Sequence, residues 1–375
     1  MRDQRILIYS NLPSAGGVST HVCLLAEFLL REGAQVWIAS LGRDLFDAKG
    51  QRLREIGARL VTTALATGTP GYSKQLHAIF RWPLELRPRR FDRVVGFGPG
   101  GFFALLAPLK KRGGLTIYNE VNAGKRIPGP NGVLHHLMLR GVDAIGCLSQ
   151  PIVTEFLRNH GSRTPVRVLP YFTLGAIDLP RVEERFRGGA EKVLRVAYFG
   201  RLESYKQPDL LIDIWEDLAI GPARLAFYGS GSLEATLQQA IASRNLGGQV
   251  MMHGSYDQRD LGGLMQQCDL VVLPSAGEGF GLVLLEAIAH GVPFVTTALG
   301  GAVDLAAAHP NLRAADPTRL GIATAIREVA SSIRAGLVSP RSLQGLYRRL
   351  YGYDTVAEVW RQALDEPRAF WGLPS

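Results

Sequence analysis

Short apolar runs alternate with segments of helical period almost from one end of the chain to the other. The first run, Arg5–Tyr9 (RILIY), is followed by Ser19–Arg31, which has helical periodicity, and then by Gln35–Ala39. Further runs stand at Arg93–Val95, Leu115–Tyr118, Ala144–Leu148 and Val166–Leu169. A second series begins at Leu194–Phe199 and continues through Arg224–Tyr228, Val250–His253, Leu270–Leu273 and Phe294–Thr297. These runs are continuous in Val, Ile and Leu rather than alternating. Strands that read this way are buried on both faces, as in a parallel sheet covered by helices. The pattern therefore predicts an α/β chain built from two doubly wound, Rossmann-like domains.

Between the two series lies Pro170–Lys192, with two prolines, a Gly-Gly pair and many charges. It reads as an interdomain linker. The expected division is residues 1–172, a linker at 173–192, a second domain at 193–350, and a C-terminal helix and tail at 351–375. Over Arg341–Phe370 the period is helical, and Tyr347, Tyr351, Val356 and Trp360 give that segment a face to bury.

Composition narrows the class. The 375 residues are 46% hydrophobic and 20% charged, as in a globular enzyme. The N-terminus MRDQRILIYS reads as a first strand rather than a signal peptide. The longest uncharged stretches, Val94–Leu109 and Ala287–Val303, are broken by Gly and Pro and do not make a membrane span. Cys23, Cys147 and Cys268 sit in apolar surroundings without a CxxC or a Cys/His cluster, which reads as reduced, buried thiols and a cytoplasmic setting.

The net charge of +9 is uneven: residues 1–175 hold 23 Lys/Arg against 11 Asp/Glu, and residues 176–375 hold 19 against 22. Basic clusters fall at Arg87, Arg89, Arg90 and Arg93 and at Lys110, Lys111 and Arg112. They are either a solvated face or a contact for an anionic acceptor or an anionic membrane surface, which would place the protein peripherally at the inner membrane face. No aromatic-interleaved basic stretch suggests nucleic acid.

In open α/β sheets, ligands bind beyond the carboxyl ends of the strands. The most informative such end is DLVVLPSAGEGFGLVLLEAIAHGVP, residues 269–293. A strand ends at Pro274, a loop follows, and a helix starts near Gly281 and Leu282. A helix N-terminus offers unpaired N–H groups and partial positive charge to a phosphate or a sugar hydroxyl. Glu278 sits in the loop and Glu286 about 6 Å along the helix. A carboxylate accepts well from vicinal hydroxyls. Glu286 is flanked by Leu284, Leu285, Ala287 and Ile288, so it should be buried and in need of a partner. The plain alternative is a capping Glu278 and a solvated Glu286. A second such end is Phe199–Lys206 (FGRLESYK), where Gly200 turns the chain and Arg201 and Lys206 could neutralise a diphosphate. By themselves they are equally two surface cations.

Gly96, Gly98 and Gly101 form a formal G-x-G-x-x-G, with Glu120 about 20 residues on. The match is discounted because it is not on the first strand and Pro99 lacks an N–H. There is no P-loop, HExxH, zinc-ligand set or DxD triplet. A diphosphate would then be held by cationic side chains and a helix N-terminus, with no metal and no cofactor beyond the co-substrate.

Taken in order and spacing, GRLESYK, FYGSGSLEATL and the 269–293 segment resemble the family 4 retaining glycosyltransferases of the GT-B fold. Glu278 and Glu286 match that family's E-x7-E signature, and NLPSAGGVSTHVCLLAEFLLREG resembles its Gly-Gly loop and first helix. The resemblance covers nearly the whole chain. It implies two Rossmann-like domains facing across a cleft, with a C-terminal helix that can return to the N-terminal domain. It implies donor-diphosphate contacts from Arg201 and Lys206, next to Gly200, and sugar contacts from Glu278. Backbone around Gly279, Phe280, Gly281 and Leu282 would hold sugar and phosphate oxygens. Glu286 would bind the ribose, and Gly16 and Gly17 would bring backbone close to the diphosphate and the acceptor.

Family members often carry a His at the end of a central N-domain strand. The corresponding stretch here, Thr116–Asn122 (TIYNEVN), has none, and Asn119 or Glu120 stands in that place: Glu120 as a catalytic base toward an acceptor hydroxyl or Asn119 as a hydrogen-bond partner of a sugar hydroxyl, the plain alternative being a polar strand-end cap. The reaction implied is transfer from a UDP- or GDP-sugar to a saccharide, lipid-linked or small-molecule acceptor, with retention at the anomeric carbon and without a metal. Polysaccharide, glycolipid or glycosylated-metabolite biosynthesis would use it. The alternatives are a non-catalytic sugar-nucleotide-binding partner subunit, or another GT-B reaction such as a phosphorylase or epimerase.

Overall fold

The computed structural model describes residues 1–10, 16–40, 48–62, 86, 90–98, 109–121, 130–175, 182 and 193–373. The chain divides into two compact units, Met1–Gly175 with Tyr353–Ser375, and Ala176–Gly352.

The first unit contains β1 (Arg5–Ser10), α1 (Gly17–Arg31), β2 (Gln35–Ser40), α2 (Ala48–Glu55), β3 (Arg59–Thr62), β4 (Phe91–Phe97), β5 (Lys110–Glu120), α3 (Pro130–Arg140), β6 (Ala144–Cys147), α4 (Gln150–His160) and β7 (Val166–Val168). Its seven strands are ordered β3-β2-β1-β4-β5-β6-β7 and pair in parallel. Ile6, Leu7, Ile8, Val94, Val95 and Ile117 are wholly buried, as continuous apolar runs covered on both faces should be.

The second unit repeats the plan. It runs β8 (Leu194–Phe199), α5 (Pro208–Asp217), β9 (Ala223–Tyr228), α6 (Glu234–Ser243), β10 (Val250–Met252), α7 (Leu261–Gln266), β11 (Leu270–Leu273), α8 (Leu282–Ala289), β12 (Phe294–Thr297), α9 (Val303–Ala307), β13 (Arg313–Ala315), α10 (Arg319–Arg334) and α11 (Pro340–Tyr351). The strand order is β10-β9-β8-β11-β12-β13, again parallel. In each sheet the order reverses beside the first strand, between β1 and β4 and between β8 and β11. These are the switch points at which doubly wound sheets bind ligands.

The helical segment expected over Arg341–Phe370 is three helices. It breaks at Gly352, whose neighbours α11 and α12 (Tyr353–Asp365) belong to different units, and again before α13 (Pro367–Trp371). The C-terminal helix thus belongs to the first unit. Trp360 is wholly buried there and donates its indole N–H to the Pro170 carbonyl at 2.8 Å. Trp371 is buried too, which accounts for the aromatic tail. Of the expected linker, residues 176–181 and 183–192 lie outside the described residues. Among the described residues no helix is long and apolar enough to cross a membrane.

Candidate functional site

At the carboxyl end of β8 the chain turns at Gly200 and runs beside the loop after β9: Gly200 N–H donates to the Tyr228 carbonyl and Leu202 N–H to that of Ser230, both at 3.0 Å. Ser232 then clamps the two loops, its hydroxyl reaching Glu203 Oε2 at 2.7 Å and its N–H reaching Oε1 at 3.2 Å. Those two bonds, the hydroxyl's first, hold the Glu203 carboxyl below its usual range. The chain closes into a single 3-10 turn, Ser204–Lys206, and Lys206 points its ammonium at Glu278.

The Lys206–Glu278 ion pair joins the loop after β8 to the loop after β11. Their side chains are 14% and 18% exposed, so the pair is partly desolvated yet reachable. Ser275 Oγ donates to the same Glu278 oxygen at 3.4 Å, and the Ala276 N–H donates to the Tyr205 carbonyl at 2.9 Å. Tyr205 lies between the cations: its hydroxyl accepts from Arg201, and both Arg201 and Lys206 sit 5.5 Å from its ring centroid. Arg201 is exposed.

Gly281 opens α8 in a left-handed conformation, φ 77°, and no side chain caps the helix; the Leu284 N–H donates to the Gly281 carbonyl at 2.8 Å, which leaves the N–H groups of Leu282 and Val283 to face a ligand. The Glu278 loop is also braced by the loop after β12. The Gly301 N–H donates to the Gly279 carbonyl at 2.9 Å, and a Cβ on Gly300 would sit 2.3 Å from the Glu278 carbonyl oxygen. Phe280 is buried and packs edge-on to Tyr351. Leu282 is the first residue of α8. Glu286 is 5% exposed on that helix and accepts from Gln258 Nε2 at 2.7 Å. Burial, and then the Glu286 charge, push the neighbouring Tyr256 hydroxyl up.

In the first unit, Gly16 precedes α1 with φ 125° and Gly17 begins it. Residues 11–15 of the Gly-Gly loop lie outside the described residues, as do Pro99 and Gly101 of the discounted glycine motif and Asn122. Asn119 and Glu120 end β5 and point to opposite faces of the sheet. Asn119 is buried and its Nδ2 donates to the Gly96 carbonyl at 3.4 Å. Glu120 is also buried, 3.9 Å from His135 Nε2, which itself lies 3.2 Å from the Tyr118 hydroxyl. Burial, helped by the Glu120 charge, pushes the Cys147 thiol up. The structure thus brings Arg201, Lys206 and Glu278 together, gives Glu286 its own partner, and buries Asn119 and Glu120.

Two family profiles match this chain, one over each sheet: Glycosyltransferase Family 4 over residues 15–172 and Glycosyl transferases group 1 over residues 181–331. Among solved structures, sucrose-phosphate synthase of Thermosynechococcus elongatus superposes with a TM-score of 0.79 at 17% identity, covering 98% of this chain and 99% of that one. This chain is a GT-B, glycosyltransferase family 4-like protein. Anabaena HepE, in its complex with UDP and glucose, superposes with a TM-score of 0.72 at 17% identity over 96% of this chain and 99% of its own.

Curated relatives match over shorter lengths. A glycogen synthase of Alkalilimnicola ehrlichii is 39% identical over 111 residues, 29% of this chain and 23% of that protein. A D-inositol 3-phosphate glycosyltransferase of Salinispora arenicola is 35% identical over 154 residues, 36% of this chain and 33% of that one. The chain therefore matches a third or less of the length of these relatives.

Within this family 4-like frame, the sequence reading missed the residues that hold the expected ones in place. Tyr205 was in plain view between Arg201 and Lys206, and the Gly300-Gly301 pair after β12 was a readable turn signal. Gln258 gave no local signal.

Proposed function

We propose that the chain is a retaining glycosyltransferase that moves a sugar from a UDP- or GDP-linked donor to a hydroxyl of a saccharide, lipid-linked or small-molecule acceptor. One observation carries the reading: two cations gathered around Tyr205, one of them paired with Glu278, stand at a switch point beside the uncapped start of α8. Cations and helix N–H groups suit a diphosphate, and a carboxylate suits sugar hydroxyls. The names of the relatives, and the UDP and glucose held by HepE, agree with this chemistry.

In the proposed reaction the bond from the anomeric carbon to the diphosphate oxygen breaks, and its electron pair stays on the leaving group. Arg201, Lys206 and the first-turn N–H groups of α8 stabilise that charge without a metal. The acceptor oxygen bonds to the carbon on the face the diphosphate leaves, and its proton passes to the departing phosphate oxygen. Glu278, tied to Lys206, accepts from sugar hydroxyls instead of attacking carbon, so Glu278 and Glu286 are not a glycosidase pair. Glu286 takes the ribose, and Gly16 and Gly17 give backbone access to the diphosphate. On the acceptor side Asn119 and Glu120 remain the assigned residues; a carboxylate as buried as Glu120 acts there as a positioning group.

An anionic membrane contact would rest on few groups. Lys110 pairs with Asp143 and Lys111 with Asp92, and Arg93 is buried against the Leu364 carbonyl. Among the described residues of those clusters, Arg90 and Arg112 are the exposed cations that would make it.

The test is a panel of UDP- and GDP-sugars with candidate acceptors. The expected result is acceptor-dependent release of nucleoside diphosphate that persists in EDTA, with the donor's anomeric configuration kept in the product by NMR. Binding without acceptor-dependent release would turn the reading to a non-catalytic partner subunit, and an inverted product would remove retention.

A further inference from the structure

Gln258 lies in the turn after β10, the edge strand of the second sheet, 28 residues before Glu286. That turn is tied down locally. The Asp260 N–H donates to the Asp257 carbonyl at 3.0 Å, and Arg259 bonds the Asp257 carboxylate through its backbone N–H at 2.9 Å and its guanidinium at 2.9 and 3.1 Å. From this fixed backbone the half-buried Gln258 side chain crosses to α8 and donates Nε2–H to Glu286 Oε1 at 2.7 Å.

The chemistry of that contact is specific. A Glu side chain has three torsions, and a carboxylate on a helix can point in several directions unless something holds it. An amide holds it without neutralising it, as Arg or Lys would. A carboxylate has about four lone-pair sites, so being held through one amide N–H is compatible with accepting from a vicinal diol. Two hydroxyls on adjacent ring carbons are met together only when the carboxylate plane is fixed.

We propose that Gln258 is a positioning residue that sets the orientation of Glu286 and thereby makes the site select a ribonucleotide over its 2′-deoxy counterpart. The inference rests on the reading of Glu286 as the ribose-binding carboxylate. Gln258 does not touch the reacting carbon, so its effect belongs in nucleotide affinity and not in turnover at saturating donor.

The experiment is calorimetric titration of the full chain with UDP, 2′-deoxy-UDP, GDP and 2′-deoxy-GDP, repeated with Gln258→Met and Gln258→Glu. A hydrogen bond from a hydroxyl to a buried carboxylate predicts that the unaltered protein binds the preferred ribonucleotide about tenfold or more tightly than its deoxy form. Gln258→Met, close in shape but without the donor, should shrink that ratio to about threefold or less by weakening the ribonucleotide alone. Gln258→Glu sets like charges together and should shrink it further. Melting curves establish that each variant is folded, and if the Met variant is not, the Glu variant decides. Folded variants that keep the full ratio overturn the inference. An unaltered protein that binds both forms equally also overturns it while leaving the donor reading standing. If neither nucleotide binds at all, the donor reading itself falls and takes the inference with it.

Discussion

The two sheets share a topology and a switch point, yet their carboxyl ends hold opposite kinds of chemistry. At the end of the second sheet, charged side chains from separate loops are held in reach of solvent: Lys206 and Glu278 keep 14% and 18% exposure. At the end of the first, His21, Asn119 and Glu120 are buried among the described residues. His21 stacks on Tyr171 at 4.1 Å with Phe97 and Trp360 around it, and the Glu120 side chain has no exposure. One architecture places both sets, and the side chains it carries at the strand ends differ. The first unit also depends on a helix supplied from the far end of the chain, whereas the second is continuous in sequence.

That dependence gives the largest expected effect. Trp360→Ala removes a fully buried indole and leaves the Pro170 carbonyl without its donor. Such truncations cost about 3–5 kcal/mol. Hydrogen exchange should show β1, β4 and β5 losing protection while β8 and β11 keep theirs. Equal loss in both sheets would mean that the units are not separate in stability. Next in size is Lys206→Ala. Removing a donor that stabilises leaving-group charge costs about 2.7–4 kcal/mol, or about 10²–10³ in kcat. A fall of less than about tenfold at saturating donor would take Lys206 out of the chemistry.

How much of this the sequence carries differs between the units for physical reasons. Buried central strands are continuous apolar runs and announce themselves. β3 and β13 do not: they are short edge strands carrying Arg59 and Arg313. β5 begins at Lys110, well before the apolar run at Leu115, because Asp143 and Asp92 compensate its two lysines and a register shift after Phe91 lets the polar stretch pair. In the second unit, Glu286 was legible as buried from its apolar neighbours. What could not be read was contact across sequence distance. The Lys206–Glu278 pair spans 72 residues and the Gln258–Glu286 bond 28, and only the family resemblance pointed to the first.

Glu120→Gln probes the end of the first sheet more gently, since it keeps shape and removes charge. If the carboxylate positions the acceptor side, turnover should fall about tenfold with donor affinity unchanged. Near-normal turnover would end that role and make the contrast between the two sheet ends complete.

The smallest effect is acid sensitivity, and it should fall on the first unit. His21 Nδ1 accepts the Phe172 N–H at 2.9 Å, so the neutral ring carries its proton on Nε2, and adding a second would set N–H against N–H. Burial holds the His21 pKa well below its usual value. Burial, with His160 and His136 adding to it, brings His135 down to about 4. A depressed histidine contributes nothing above the unfolded pKa of about 6.5, and below it the unfolded chain binds the proton that the folded one refuses. Stability must therefore fall as pH drops through 6.5, by just under about 1 kcal/mol per histidine at pH 6. Hydrogen exchange at pH 7 and pH 6 separates the units: β1 and α1 should lose protection ahead of β8 and α8. His309 in the second unit is also lowered by burial but is bonded through Ser342 and the Asn311 N–H at the rim of a surface cavity of about 380 Å³. Equal acid loss in both units would make His309 an equal contributor, and full protection of β1 and α1 at pH 6 would remove His21 as a source.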